Sequence, residues 1–347
     1  MKLTLHRFDL ATRHPFTISR GTTTVQRTVV VELEQDGCRG YGEAVEEAYY
    51  GATLDRIVES LERARPQIEA ATLDDPAEFW EAVRPVLRGD APPEEPAPAS
   101  FPQCALDAAA WDLCGKLRGE PVWKLWGLSL DRVPPSDYTI GIDAIDVMVA
   151  KLREFPGWPV YKVKLGTDDD VEIVRQLRRH TDAAFRVDAN CAWTAEQTLR
   201  MAEALGPLGV EFIEQPLPPA EHGQMPELFR RSALPLVADE SCQVEADVDR
   251  CFEHFHGINI KLVKCGGLTP ARRMIARARQ LGMRVMAGCF TESTVGISAI
   301  AQLLPLLDYV DMDGAVLLAE DVATGVRLEQ GRAVFPEENG CGVRLTR

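Results

Sequence analysis

In the first third of the chain, the hydrophobic and polar positions predict β-strands followed by helices. A β-branched run at 28–33 precedes a turn motif at 35–37, and the first 45 residues or so favour β-structure. Apolar positions with helical spacing follow at 53–71, 76–88 and 103–118. The stretch 91–102 is rich in proline, which predicts a loop or a linker. This part of the chain therefore predicts an α+β unit.

The pattern changes at about residue 134. Short apolar runs now alternate with segments of helical spacing, and the predicted strands are 138–142, 161–165, 185–189, 210–215, 234–240, 258–264, 283–289 and 309–313. Strands that alternate with helices indicate a parallel sheet buried on both faces. Eight such units fit a (β/α) barrel. A doubly wound sheet is the alternative, but the glycine-rich first turn typical of it is absent from the sequence.

Composition and charge narrow the class of protein. The chain has 347 residues, with 53 acidic and 38 basic side chains and a net charge of −15. Such an acidic chain is a poor partner for nucleic acid, because it repels the phosphate backbone. The sequence holds no apolar run of 18 residues and no secretory signal, so we expect neither membrane insertion nor export. Nine irregularly spaced cysteines favour reduced thiols and a cytoplasmic location.

Ionisable residues stand near the carboxyl ends of five successive predicted strands. They follow one another at intervals of 24 to 26 residues and are Lys164, Asp188, Glu214, Asp239 and Lys264. A further step of 25 leads to Cys289, close to Glu292. Charged groups inside a barrel are costly unless they are paired or bind a metal, and the carboxyl ends of barrel strands carry the active site. Five unrelated salt bridges are the alternative, which the regular spacing disfavours.

The residue types suggest a chemistry. Three carboxylates on consecutive strands, without histidine or cysteine, form the oxygen ligand set that Mg²⁺ prefers. A lysine lies on the strand before them and another on the strand after them. The two lysines would face each other across whatever the metal holds, which suits proton transfer on both faces of one carbon.

Several motifs together resemble the enolase superfamily, in its muconate-lactonizing subgroup. They are YKVKLG with Lys162 and Lys164, RVDAN at Asp188, IEQP at Glu214, ADES at Asp239 and NIKLVKCGG at Lys264, together with RGYGEA at 39–44. The resemblance implies a (β/α)7β TIM-like barrel with an α+β capping domain. We expect the capping domain at 1–133, the barrel at 134–318 and a segment completing the capping domain at 319–347.

The resemblance also implies roles for these residues. Asp188, Glu214 and Asp239 would bind one Mg²⁺ per subunit, and Lys164 and Lys264 would be the acid/base pair of a 1,1-proton transfer through an enediolate intermediate. Mg²⁺ would stabilise the negative charge that develops in this reaction. Lys162 would hold the substrate carboxylate. By the alternation of a strand, Lys261 is expected on the face opposite Lys264 and is interpreted as structural.

The end of the last predicted strand favours one activity within the superfamily. Asp311 and Asp313 are two residues apart, so they point to the same face of a strand. Two such carboxylates suit a cation, and they resemble the pair with which dipeptide epimerases bind the substrate N-terminus. The sequence therefore predicts epimerisation of a dipeptide at the α-carbon of its C-terminal residue. The alternatives are an N-acylamino acid racemase or o-succinylbenzoate synthase-like enzyme, and a catalytically silent barrel, which would lack at least one of the five residues.

Further residues are expected around the substrate. Thr139, Glu292 and Arg20 are predicted to contribute to the pocket, and loops 16–25 and 45–51 to close over it. Arg20 would favour an acidic substrate side chain. The second loop contains alternatives: Glu46 and Glu47 would favour a basic side chain, and Tyr49 and Tyr50 an apolar one. The preferred dipeptide therefore stays open. A homo-oligomer is expected from the resemblance.

Overall fold

The N-terminal third begins with an antiparallel sheet. A computed structural model of the chain, which describes residues 1–89 and 97–346, contains β1 (Lys2–Ile18), β2 (Gly21–Gln35) and β3 (Cys38–Val45), paired in the order β1-β2-β3. Asp36 and Gly37 join β2 to β3 with φ of 52° and 78°. Two consecutive left-handed residues make the tight turn that the sequence predicts at 35–37.

Helices follow this sheet and pack against it or against one another. They are α1 (Leu54–Ala70), α2 (Pro76–Arg88), α3 (Ala97–Arg118) and the short α4 (Val122–Leu125). A Cβ atom on Gly40 would lie 2.2 Å from the carbonyl oxygen of Ala109, and one on Gly42 would lie 2.1 Å from that of Ala105. Both glycines are therefore required for the close approach of α3 to β3.

The predicted proline-rich loop at 91–102 is corrected in part. Residues 91–96 lie outside the described residues, whereas α3 already begins at Ala97 and includes Pro102. Pro102 is the sixth residue of α3 and removes one backbone N–H donor from its second turn. The proline-rich stretch therefore led to a predicted helix start that is several residues too late.

The central part of the chain forms a parallel eight-stranded sheet in chain order. Its strands are β4 (Tyr138–Ile140), β5 (Val160–Lys164), β6 (Ala184–Asp188), β7 (Val210–Glu214), β8 (Leu236–Ala238), β9 (Gly257–Lys261), β10 (Arg284–Gly288) and β11 (Tyr309–Asp311). A parallel bridge between Ser136 and Val310 brings the two edges together. The predicted barrel is confirmed.

Helices connect successive strands. They are α5 (Ile145–Glu154), α6 (Asp170–Arg178), α7 (Ala195–Leu205), α8 (Met225–Arg231), α9 (Glu245–Cys251), α10 (Leu262–Cys265), α11 (Leu268–Gln280) and α12 (Thr294–Ala301). The predicted strand 258–264 is wrong at its end, because β9 stops at Lys261 and α10 starts at the next residue. Gly266 ends α10 in the left-handed region with φ of 97°. This early end of β9 changes the direction of the side chains that follow it.

The last stretch of chain returns to the N-terminal third. Its short strands are β12 (Ala323–Thr324), which pairs with β15 (Arg344–Leu345), and β13 (Arg327–Glu329), which pairs with β14 (Arg332–Val334). Leu318 forms a bridge with Thr12, and Gly340 accepts a hydrogen bond from the Val122 amide. These contacts agree with a C-terminal contribution to the capping domain, although the boundaries 1–133, 134–318 and 319–347 stay predictions. Within 1–89 and 97–346, every helix is too short or too polar to span a bilayer.

One buried glutamate ties the cap to the barrel. Glu43 on β3 accepts hydrogen bonds from the Ser293 amide, the Ser293 hydroxyl and the Gly296 amide, all at the N-terminal end of α12. Thr28 donates a further hydrogen bond of 2.9 Å to the same carboxylate. Acceptors at a helix N-terminus satisfy its free N–H groups. The cap is therefore fixed next to the carboxyl end of β10.

Candidate active site

Three carboxylates meet at the carboxyl ends of neighbouring strands. Asp188 and Glu214 end β6 and β7, and Asp239 directly follows β8. The three are buried, and one oxygen of each lies within 4.8 Å of the others. Oε2 of Glu214 is buried and accepts no aligned hydrogen bond, although Nζ of Lys162 lies 2.8 Å from it. This all-oxygen donor set fits Mg²⁺.

Neighbouring side chains orient these carboxylates. Asn259 on β9 donates a 2.8 Å hydrogen bond from Nδ2 to Oε1 of Glu214. Gln215 accepts a 2.9 Å hydrogen bond from the Asp239 amide. The sequence analysis did not identify Asn259 or Gln215. Asn259 lies two residues before Lys261, so strand alternation offers a way to find it.

The two lysines of β5 have different surroundings. Nζ of Lys164 lies 2.6 Å from Oδ2 of Asp188, and the side chain lines the pocket. Lys162 is fully buried, with Nζ 2.7 Å from Asp311 and 2.8 Å from Glu214. Burial lowers the pKa of Lys162, but these carboxylates outweigh it and the net shift is upward. Lys162 therefore carries a positive charge at the base of the acidic cluster.

The structure places Lys261, instead of the predicted Lys264, in the wall of the pocket. Lys261 lines the pocket, with Nζ 3.0 Å from Oδ2 of Asp239 and 4.4 Å from the centre of the Phe290 ring. Lys264 is 1% exposed, lies outside the pocket lining and contacts Asp239 from the other side. The expectation of opposite faces assumed that the strand continues to residue 264, but it ends at Lys261. The regular spacing therefore predicted Lys264, whereas the lysine of this segment that lines the pocket is Lys261.

The position of Lys261 in the barrel is opposite that of Lys164. Lys164 ends β5 and Lys261 ends β9, so four steps separate them in a parallel sheet of eight strands. The strands that carry the three carboxylates, β6 to β8, lie between the two on one side. Two ammonium groups therefore approach the pocket from opposite sides of the barrel.

Asp311 and Asp313 both line the pocket. Asp311 pairs with Lys162, which lowers its pKa against the opposing effect of burial. Oδ2 of Asp313 accepts a 2.6 Å hydrogen bond from the amide of Thr139, itself a pocket residue. Burial, and then the charge of Asp311, raise the pKa of Asp313 to about 8. The pocket thus contains a carboxylate pair in which Asp311 is paired with an ammonium group and Asp313 accepts a backbone amide hydrogen.

The cap supplies the outer wall of the pocket. Phe16 and Ile18 from β1 are apolar parts of this wall. Arg20 also lines the pocket, but Nη1 lies 2.7 Å from Oε1 of the buried Glu240 and donates a 3.0 Å hydrogen bond to the Asn190 carbonyl. The predicted contact of loop 16–25 with the site is therefore present, whereas the guanidinium is already paired.

Glu292 lies behind the pocket wall instead of on it. The side chain is buried, is absent from the pocket lining and accepts a 2.9 Å hydrogen bond from the Phe290 amide. Burial, and then the charge of Glu43, raise the pKa of Glu292 to about 8. The structure thus gives Glu292 a contact with the loop that carries Phe290 and no direct access to the pocket.

Comparisons with family models agree with this fold. Residues 2–127 match the N-terminal domain of mandelate racemase / muconate lactonizing enzyme, and residues 147–347 match the enolase C-terminal domain-like family. The chain therefore belongs to the mandelate racemase / muconate lactonizing enzyme family of the enolase superfamily, as the motifs predict.

The individual relatives and solved structures that this chain resembles include several epimerases. The chain is 50% identical over 345 residues to an L-Ala-D/L-amino acid epimerase of Flavobacterium johnsoniae, covering 99% of this chain and 100% of the relative. The fold is similar to that of a dipeptide epimerase from Cytophaga hutchinsonii, solved with Mg and D-Ala-L-Val. The TM-score is 0.91 at 26% identity, and the match covers 100% of this chain and 97% of the other. A dipeptide epimerase from Methylococcus capsulatus, solved with Mg and L-Arg-D-Lys, has a TM-score of 0.87 at 31% identity, covering 99% of each chain.

Proposed function

We propose that this chain epimerises dipeptides with an N-terminal L-alanine at the α-carbon of the C-terminal residue, with Lys164 and Lys261 as its two acid/base groups. The observation that carries the proposal is the placement of these lysines on opposite sides of one pocket. A proton removed from one face of a carbon and returned to the other face inverts the configuration. Two such groups are what this reaction needs.

The enzyme class is an isomerase of the dipeptide epimerase type, and its cofactor is Mg²⁺. The curated relative and the two solved complexes support this class over an N-acylamino acid racemase or an o-succinylbenzoate synthase. The all-oxygen donor set of the acidic cluster in this chain supports the same metal. The specific assignment of L-alanine rests on the name of the relative at 50% identity.

Each residue of the site has a separate role in the reaction. Asp188, Glu214 and Asp239 would hold Mg²⁺, which would supply Lewis-acid stabilisation of the negative charge that develops on the substrate. Lys164 removes the α-proton from one face, and Lys261 delivers a proton to the other face of the enediolate. The roles reverse for the other epimer. Each lysine must lose its proton before it acts as a base, so the two carry opposite protonation states at the start of a turnover.

The carboxylate pair at the end of β11 orients the substrate. Asp311 is neutralised in part by Lys162, whereas Asp313 can pair with a cation once it is ionised. An α-ammonium group bound here and a C-terminal carboxylate held at the acidic cluster together place the C-terminal α-carbon between Lys164 and Lys261. This arrangement favours a free dipeptide over an N-acylated amino acid, which has no ammonium group.

The cap favours a non-acidic side chain on the C-terminal residue. Arg20 is paired with Glu240, so it offers little attraction to a second carboxylate. Phe16 and Ile18 provide apolar contacts next to it. A neutral side chain fits this wall without breaking the ion pair.

Proton exchange in D₂O tests the proposed function. With Mg²⁺ and L-Ala-L-X dipeptides, NMR should show deuterium entering at the C-terminal α-carbon as the L,D diastereomer appears. Lys164→Ala and Lys261→Ala should each abolish epimerisation, and each should retain exchange of only one of the two epimers. Unchanged epimerisation by Lys261→Ala would remove this lysine from the mechanism. Turnover of N-acyl amino acids without exchange of any dipeptide would overturn the proposal as a whole.

We also expect a cytoplasmic homo-oligomer that binds no nucleic acid. The net charge of −15 supports the last point, because such a chain repels phosphate. Light scattering coupled to size-exclusion chromatography measures the subunit number, and a monomer would contradict the expectation.

A further inference from the structure

Lys264 lies directly behind one of the three clustered carboxylates. We propose that it is a positioning residue, which fixes the Asp239 carboxylate so that one oxygen serves the metal and Lys261 stays available for proton transfer. The proposal rests on the proposed function for the role of Lys261, but its effect on metal binding is independent of the substrate.

The ammonium group of Lys264 has three hydrogen-bond acceptors around it. Nζ lies 2.5 Å from the main-chain oxygen of Asp239, 2.5 Å from its Oδ1 and 3.1 Å from the main-chain oxygen of Cys242. An ammonium has three N–H donors, so three acceptors satisfy it. The side chain is 1% exposed, and it therefore reaches neither solvent nor substrate.

Asp239 is held between two lysines that have different surroundings. Oδ1 faces the buried Lys264, and Oδ2 lies 3.0 Å from Lys261 on the pocket side. Gln215 accepts the Asp239 amide hydrogen, which fixes the backbone as well. With one oxygen and the main chain fixed, the carboxylate presents Oδ2 in a single direction. A carboxylate held in this way is preorganised as a metal ligand.

The local backbone explains how both lysines reach the same carboxylate. Lys261 is the residue before α10, and Lys264 lies within this single helical turn. Gly266 and Gly267 follow with φ of 97° and 118°, which lets the chain turn away immediately into α11. The short helical turn brings the two ammonium groups to the two oxygens of one side chain.

Loss of Lys264 should disturb both the metal ligand and the base. Asp239 would keep Lys261 as its cationic neighbour and would be free to rotate towards it. The Lys261 ammonium would then be held more tightly, and the metal would lose a fixed oxygen. Removal of the outer partner of a metal ligand typically costs about 10- to 100-fold in metal affinity or activity.

Calorimetric titration of metal-free protein with Mg²⁺ tests the proposal. Lys264→Met should raise the Mg²⁺ Kd by about 10- to 100-fold. In D₂O, the exchange that depends on Lys261 should slow more than the exchange that depends on Lys164. Lys264→Gln retains N–H donors without the charge, so it should fold even if the methionine variant does not, and it should also weaken Mg²⁺ binding.

Lys116 provides a matched control. Its Nζ likewise has three acceptors, namely Asp112 Oδ2 at 2.7 Å and the main-chain oxygens of Arg39 at 2.9 Å and Val343 at 2.8 Å. These residues lie outside the pocket lining, so Lys116→Met should lower the Tm without changing the Mg²⁺ Kd. An unchanged Kd in folded Lys264→Gln, or an equal loss in Lys116→Met, overturns the positioning role. Weaker Mg²⁺ binding by Lys264→Gln in a chain that epimerises no dipeptide would instead reject only the proposed function.

Discussion

The guanidinium of Arg20 lies 2.7 Å from the carboxylate of Glu240, and the two come from different parts of the fold. Arg20 belongs to the turn between β1 and β2, whereas Glu240 follows the metal-ligand candidate Asp239. Ser19 and Arg20 both donate to the main-chain oxygen of Asn190, so the same turn is held by three contacts. The ion pair thus joins the cap to the barrel at the mouth of the pocket and neutralises the arginine there.

Release of Arg20 should change the preferred substrate. Glu240→Gln removes the carboxylate that pairs with Arg20, so the arginine becomes available to an acidic substrate side chain. The ratio of kcat/KM for L-Ala-L-Glu to that for L-Ala-L-Gln should rise about tenfold, because a hydrogen bond to a charged group is worth roughly 1.5–3 kcal/mol. Competition between the two dipeptides measures this ratio directly.

The matched control for this change is the double variant Arg20→Met with Glu240→Gln. It should return the ratio towards that of the wild type, because no arginine remains to be released. A wild-type enzyme that already prefers L-Ala-L-Glu over L-Ala-L-Gln would show that the ion pair does not withhold Arg20 from the substrate.

Asp313→Asn should weaken dipeptide binding and leave metal binding intact. The amide oxygen of asparagine still accepts the hydrogen bond from Thr139, so the local fold is retained, whereas the charge that attracts the α-ammonium group is lost. We expect the KM for a dipeptide to rise about tenfold or more. Steady-state kinetics and Mg²⁺ titration separate the two effects.

Asp321→Asn is a suitable control for the loss of a carboxylate. Asp321 accepts hydrogen bonds from Thr294 at the start of α12 and does not line the pocket. Its replacement should lower the Tm and leave the KM unchanged. An equal KM for Asp313→Asn and the wild type would refute a role of Asp313 in ammonium binding.

Dipeptide binding should depend on pH near 8. Burial raises the pKa of Asp313 to about 8, so this carboxyl is mostly protonated at lower pH and gains its charge as the pH rises. The KM should therefore fall between pH 6 and 8. It should rise again above pH 8, because an α-amino group has a pKa of about 7.7–8.0 and then loses its own charge. Asp313→Asn should remove the fall in KM between pH 6 and 8. If this fall persists in the variant, its cause is the titration of another group.

A methyl group on Gly288 should disturb the metal site from behind. A Cβ atom there would lie 2.6 Å from Nδ2 of Asn259, the atom that donates to Glu214. Gly288→Ala should therefore displace Asn259, raise the Mg²⁺ Kd and lower the free energy of unfolding by about 1–3 kcal/mol. Calorimetric titration and urea unfolding measure the two changes.

Gly206→Ala provides the comparison for this variant. A Cβ atom on Gly206 would have Leu234 at 3.8 Å as its near neighbour, which is an ordinary van der Waals contact. Its φ of −53° suits alanine. Gly206→Ala should keep both the stability and the Mg²⁺ Kd of the wild type. A wild-type Mg²⁺ Kd for Gly288→Ala would show that Asn259 does not support Glu214.

Local pattern was sufficient for much of the fold. Buried apolar runs that alternate with helical segments determined the parallel barrel, because its strands are covered by helices outside and by packed side chains inside. The spacing of Asp188, Glu214 and Asp239 placed these carboxylates at one end of consecutive strands, where parallel geometry brings them together. Asp311 and Asp313 both line the pocket as their spacing predicts, although β11 ends at Asp311, so strand alternation does not extend to Asp313. These features depend on periodicity along the chain and are therefore present in the sequence.

The tertiary structure decided the contacts that depend on where an element ends or on residues far apart in sequence. Lys261 replaces Lys264 at the pocket because β9 stops one residue before a helical turn, and strand boundaries are set by packing and hydrogen bonding across the sheet. Arg20 meets Glu240 across 220 positions of sequence, a distance that no local pattern spans. The sequence thus determined which kinds of residue reach the site, and three-dimensional packing decided which of them face the substrate.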